Sequence, residues 1–133
     1  MKILKIFEDA RLKEKEEKVK AIFIGTNAEP CIMEIKNELK SYQQLVGGYI
    51  EVLSIKSEGM RFINLIYNDM CKSKFEEVNK RIVFPNGQRD YLSGNIICLA
   101  SDWRTGDFES LTDEEIKYYL RELSKKELAI TMG

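Results

Sequence analysis

The chain has 133 residues, of which 44% are apolar and 32% charged, with a formal net charge of −1 and a pI near 5.7. That length buries one core without disulfide or metal staples, and the composition reads as a soluble globular protein and not a disordered one. Lysine and arginine alternate with acids, so bulk charge offers no basic face to nucleic acid or to an anionic membrane, although a local arginine cluster stays open.

Residues 1–18 read as an N-terminal charged arm, and residues 19–133 as a single domain. Residues 8–18 are good helix formers with only Ala10 and Leu12 apolar, which gives a solvated helix or a loose arm. The alternative is an arm packed on a second subunit through Ile3, Leu4, Ile6 and Phe7. Residues 19–24 are β-branched and aromatic and predict a strand, ended by Gly25-Thr26-Asn27. Pro30 suits a first helical turn, and Ile32, Ile35, Leu39 and Tyr42 follow at helical spacing, so a helix is expected up to Gln43-Gln44.

The glycine pair Gly47-Gly48 then separates a helical run from a strand-like one. It reads either as a helix C-cap or as a surface where a ligand or partner backbone comes close. Residues 49–55 and 60–67 predict a hairpin joined by Lys56-Ser57-Glu58-Gly59 and closed by Asn68-Asp69. Residues 70–80 settle no period. Ile82-Val83-Phe84 is a short strand stopped by Pro85-Asn86-Gly87. Residues 94–100 form a nearly continuous apolar run, the pattern of a central strand. A polar loop, Asp102 to Phe108, carries the only tryptophan, Trp103. Thr112-Asp113-Glu114-Glu115 is a capping-box pattern, and Ile116, Tyr119, Leu120 and Leu123 continue it at helical spacing. An apolar tail, residues 128–132, docks on the body or on a partner. The order β-α-β-β-(β)-β-α implies an α+β domain: a mostly antiparallel sheet with helices packed on one face, its centre the strands at Tyr49, Met60 and Gly94.

Gln43 to Glu51 matches a Gln-x-x-Val-Gly-Gly-x-Ile-Glu segment. Asn68-Asp69 matches a hairpin ending in an Asn-acidic pair, and Asn79-Lys80-Arg81 an Asn-Arg step with a lysine inserted. Gly94 opens a strand, and Gly106 to Glu115 matches Gly-Asp-Phe-x-Ser-Leu-Thr-Asp-Glu-Glu. In this order the motifs resemble a domain-of-unknown-function family of bacteriophages and mobile elements, the domain of unknown function 3846, over residues 19–124. The resemblance implies a phage or prophage origin and no settled activity. The resemblance implies an accessory protein of the kind that often counters host defence by binding a host protein or a signalling nucleotide.

Histidine is absent, which removes the commonest general base and makes Cys-His and Ser-His pairs impossible. No lysine or aspartate is spaced as a base, so a non-enzymatic protein without cofactor or metal is expected. Cys31, Cys71 and Cys98 are odd in number and far apart, which fits reduced thiols in a bacterial cytoplasm. No apolar run reaches the about 18 residues of a membrane span, and residues 1–7 are too short for a signal peptide. Glu51 in mid-strand needs a partner, either Arg61 across the hairpin or a ligand amide or hydroxyl. Asp102, Asp107 and Glu109 lack the spacing of a calcium loop. Trp103-Arg104 and Arg89 with Tyr91 can stack on and pair with a nucleotide, or pack and solvate.

The expected function is a phage accessory binding protein, cytoplasmic and homo-oligomeric, that counters a bacterial defence system by binding a host protein or sequestering a nucleotide signal. The ligand residues expected are Gly47, Gly48, Tyr49, Glu51, Arg81, Trp103 and Arg104. A host protein would meet Asp113, Glu114 and the arm. The alternative is a nucleic-acid-associated regulator of a mobile element.

Overall fold

The computed structural model describes residues 15–72 and 77–130. The strand that positions everything else is β7, Ile96–Asp102, buried at every residue. Its apolar run alternates between two cores: Ile96, Cys98 and Ala100 enter one, Ile97 and Leu99 the other. β7 pairs antiparallel with β1 (Lys18–Ile24) on one side and β4 (Arg61–Asn68) on the other. The edges are β2 (Cys31–Lys36) beyond β1 and β3 (Ile50–Glu58) beyond β4, giving the order β2-β1-β7-β4-β3. Two-residue β8, Phe108–Glu109, pairs with β7 where β1 has peeled away. A second sheet has the order β6-β5-β9, from Arg89–Ser93, Val78–Val83 and Glu127–Ala129, with β5 and β9 parallel. The domain is thus α+β and mostly antiparallel.

The helices occupy opposite faces of the large sheet, not one. α1 (Leu39–Val46) seats Tyr42 and Val46 against Val19, Ile66 and Leu99. α2 (Asp113–Glu122) sends Ile116 and Tyr119 into the other core, which Ile82 and Leu92 of the second sheet also enter. A central strand that is apolar on both faces requires this, because each face must be covered.

The expected helix from Ile32 is a strand followed by a later helix. Met33 and Ile35 turn inward while Ile32, Glu34 and Lys36 face out, a period of two that β1 reads across the ladder. The helical spacing was fortuitous: Ile32 and Leu39 are both exposed. Pro30 accordingly precedes a strand. The element order gains β2, β6, β8 and β9, and the Tyr49 strand lies at an edge, not at the centre. The apolar tail docks in part on the body as β9, with Leu128 in the core. The arm falls outside the described residues as far as residue 14, with its proposed Ile3–Phe7 contacts. Glu16 and Glu17 are described, and their carbonyls accept from the side chain and backbone N–H of Asn37.

α1 stops as the glycine pair suggested, but the two glycines act differently. Gly47 adopts φ 82° and its N–H caps Gln43 O at 2.8 Å. Gly48 leaves room for a neighbour: a Cβ there would lie 2.9 Å from Asn68 Nδ2, and Asn68 is buried and donates to Val46 O at 3.2 Å.

Arg61 does not pair with Glu51. Its Nη1 donates to Glu109 at 2.7 Å, its Nη2 to Glu115 and to the Ser110 carbonyl, both at 2.7 Å, and its Nε to Glu115 at 3.2 Å. Glu115 also accepts from Thr112 N–H, completing the capping box. One guanidinium therefore fastens β4 to β8 and to the first turn of α2.

Gly48→Ala is expected to lower stability by about 1–3 kcal/mol through overpacking against Asn68, read from urea unfolding; an unchanged midpoint would show that Asn68 yields freely. Arg61→Met, which removes the cation shared by two mostly buried carboxylates, is expected to cost about 3 kcal/mol. Burial pushes the Glu115 carboxyl up, but hydrogen bonds from Arg61 and Thr112 outweigh it and hold the value below the ordinary one. The folded-state value is thus depressed. Its stabilisation is complete above about pH 4.5 and is lost as the pH falls through the lower folded value. The Met variant should lose this part of the acid transition, as acid titration of unfolding stability would show.

Candidate functional site

The loop between β1 and β2, the end of α1 and the turn between β6 and β7 meet at one end of the sheet. They enclose an open cleft of about 490 Å³, lined by Thr26, Asn27, Gln44, Gly47, Glu77 and Asn95 among others. Three asparagine amides fasten the elements around it. Asn79 donates to the carbonyls of Ile24 and Gly94 at 2.9 and 2.7 Å, tying the end of β1 to the β6–β7 turn. Asn95 donates to Leu45 O at 3.1 Å, tying that turn to α1. Asn68 holds Val46 from the other side. The β1–β2 loop turns through Asn27 at φ 59°, and the Asn27 side chain donates to Glu77 while accepting from Lys126 Nζ at 3.4 Å.

The lining therefore combines a hydroxyl, three side-chain amides and one carboxylate beside the carbonyl end of a helix. Such a set fixes a ligand by hydrogen bonds at its donor edges. The helix end carries partial negative charge and favours donors over anions at that wall.

The seven expected ligand residues fall in separate places. Gly47 lines the cleft and Gly48 packs on Asn68 behind it. Tyr49 follows, exposed at the foot of β3. Glu51 faces solvent opposite Tyr67. Burial first, and the Glu51 charge second, push the Tyr67 hydroxyl up. Trp103 and Arg104 lie at the far end of β4, where Trp103 N–H donates to Met60 O at 3.1 Å. An eight-residue strand puts roughly 23 Å between those ends. Arg104 is held on Asp102, with Nη2 to Oδ2 at 3.3 Å. Arg81 is exposed on β5 between Tyr91 and Glu127, and Arg89 pairs with Glu127 at 3.3 Å. The arginines do not form one patch.

Thr26, Gln44, Glu77 and Asn95 were not legible as site residues. Gly25-Thr26-Asn27, read as the end of a strand, forms a loop whose Thr26 and Asn27 border the cleft. The other contributors come from far apart in the chain, and only the fold unites them. No group of three or more Cys, Asp or Glu positioned for a metal occurs among the described residues. Among the described residues, no helix is long and apolar enough to cross a membrane.

An α+β domain with a six-stranded sheet and this end cleft is the class the geometry defines. The chain belongs to the family described as Domain of unknown function (DUF3846), whose family model matches residues 19–124. No curated protein and no solved structure matches the chain.

Asn79→Ala would strand two buried carbonyls. The expected cost is about 2 kcal/mol, measured by chemical denaturation; a neutral result would show that water replaces the amide.

Proposed function

We propose that the chain is a non-enzymatic binding protein of phage or mobile-element origin whose end cleft takes a nucleotide-sized ligand. The ligand would be a signalling nucleotide of a bacterial defence system, withdrawn from its receptor in the host cytoplasm. The observation that carries this reading is the cleft: its volume lies within the roughly 300–1,000 Å³ range of small-molecule sites, and its amides and hydroxyl suit the edges of a base or a ribose. Edge strands β2 and β3 leave backbone groups for pairing between copies, in keeping with a homo-oligomer.

A host-protein target is the second reading. The exposed Asp113 and Glu114 at the start of α2, with the half-exposed Tyr118, favour it. A nucleic-acid regulator has less behind it, because Arg61, Arg89 and Arg104 are each matched by a carboxylate.

Native mass spectrometry of protein purified from bacteria with an active defence system tests the proposal. A nucleotide-sized adduct is expected in the wild type and none in Gln44→Trp, which fills the cleft from an exposed helical position. A bare wild-type mass would overturn ligand sequestration. Trp103 fluorescence is expected to stay unchanged on binding, since Trp103 lies at the other end of β4; strong quenching would move the site to Trp103 and Arg104.

A further inference from the structure

Lys80 is only 4% exposed, yet it makes no hydrogen bond or ion pair with a described residue. The β5–β6 register shifts between Val78 and Lys80. The bulge lets Asn79 and Lys80 both turn inward, Asn79 to its two carbonyls and Lys80 to the face that carries Ile82. β9 runs parallel beside β5, with Arg81 opposite Glu127 and Arg81 N–H donating to Lys126 O at 2.9 Å. One step back, Lys80 and Lys126 are therefore neighbours across the ladder. They lie on the face that Ile82 and Leu128 share one alternation later. Lys126 is exposed, and its Nζ reaches Asn27 Oδ1 at the rim of the cleft.

Two neighbouring lysines, one of them largely buried, repel each other through their ammonium charges. Burial first, and the Lys126 charge second, push the Lys80 amine below the ordinary lysine value, while Glu29 acts the other way. No described side-chain nitrogen that lacks a partner is wholly shut from solvent, so the Lys80 Nζ keeps a path to the surface.

We infer that Lys80 and Lys126 form an anion subsite beside the cleft that receives a phosphate group of the ligand. A phosphate is the fitting anion because two ammonium groups on flexible stems act as separate point charges. They can meet different oxygens of a tetrahedron, whereas a planar carboxylate is better matched by a guanidinium fork. The subsite also lies away from the carbonyl end of α1, the wall least suited to negative charge. Bound there, the anion removes the repulsion between the lysines and supplies the partner that Lys80 lacks. The inference deepens the cleft reading and rests on it for the remainder of the ligand.

The test uses inorganic pyrophosphate as the first probe and a nucleotide recovered from the native protein as the second, both by calorimetry and thermal shift. Lys80→Met keeps the stem and removes the charge, Lys126→Met does the same at the rim, and Lys125→Met is the surface control. The wild type is expected to bind pyrophosphate saturably and to melt higher with it. Both Lys80→Met and Lys126→Met should bind at least tenfold more weakly, and Lys125→Met as the wild type does. Lys80→Met without anion should melt no lower than the wild type, which separates loss of binding from loss of fold. Absence of pyrophosphate binding in the wild type, or equal binding by Lys80→Met, would overturn the subsite. Nucleotide binding lost in Lys80→Met and in Gln44→Trp, with pyrophosphate binding kept in the latter, supports both readings. Nucleotide binding unaffected by Gln44→Trp but lost in Lys80→Met would sink the cleft and keep the subsite; the reverse would sink the subsite alone.

Discussion

A strand with two apolar faces cannot be satisfied by one covering layer. β7 imposes that constraint on the whole domain, since its seven residues are all buried and Ile96 to Ala100 alternate between two cores. One face is closed by α1, and the other by α2 together with the second sheet. Each layer must then be fixed at its margins, where hydrophobic contact gives no direction. Arg61 fixes α2 and β8 to β4, and the asparagines fix α1 and the turns to the ends of β1 and β4. The cleft is a by-product of that closure: it lies where three margins meet and the apolar layers run out.

Seen this way, most of the motif residues have structural work. Gly48 and Asn68, twenty positions apart, are two halves of one close contact. In the segment from Gly106 to Glu115, Phe108 packs edge-on against Tyr42 with ring centroids 5.0 Å apart. Glu109 and Glu115 take Arg61, the Ser110 hydroxyl accepts from Lys20 N–H at 2.9 Å, and Thr112 caps α2. A signature that builds a scaffold marks the fold well and the chemistry poorly.

The sequence made β1, the β3–β4 hairpin, β7 and α2 legible because each has a strong local signal: β-branched runs, a short turn between them, unbroken apolarity, a capping box. It misled at Ile32, where apolar residues at positions 32, 35, 39 and 42 fit a helix and the pairing with β1 decided otherwise. It was silent on β6, β8 and β9, short strands held by neighbours more than by propensity. Of the residues lining the cleft, only Gly47 was visible locally. Lys80 could not be read as buried, because its inward turn follows from a bulge and from a strand that arrives 46 positions later, at Lys126.

Besides the arginines, many of the internal polar fastenings are asparagine amides. Asn37, Asn64, Asn68 and Asn79 are buried with their bonds made, and the chain has no histidine. An amide neither gains nor loses a proton between about pH 5 and 8, and histidine is the side chain that ordinarily would. The amide fastenings around the cleft thus carry no protonation switch of their own. Those bonds therefore persist across that pH range, where a histidine in the same place would act as a sensor.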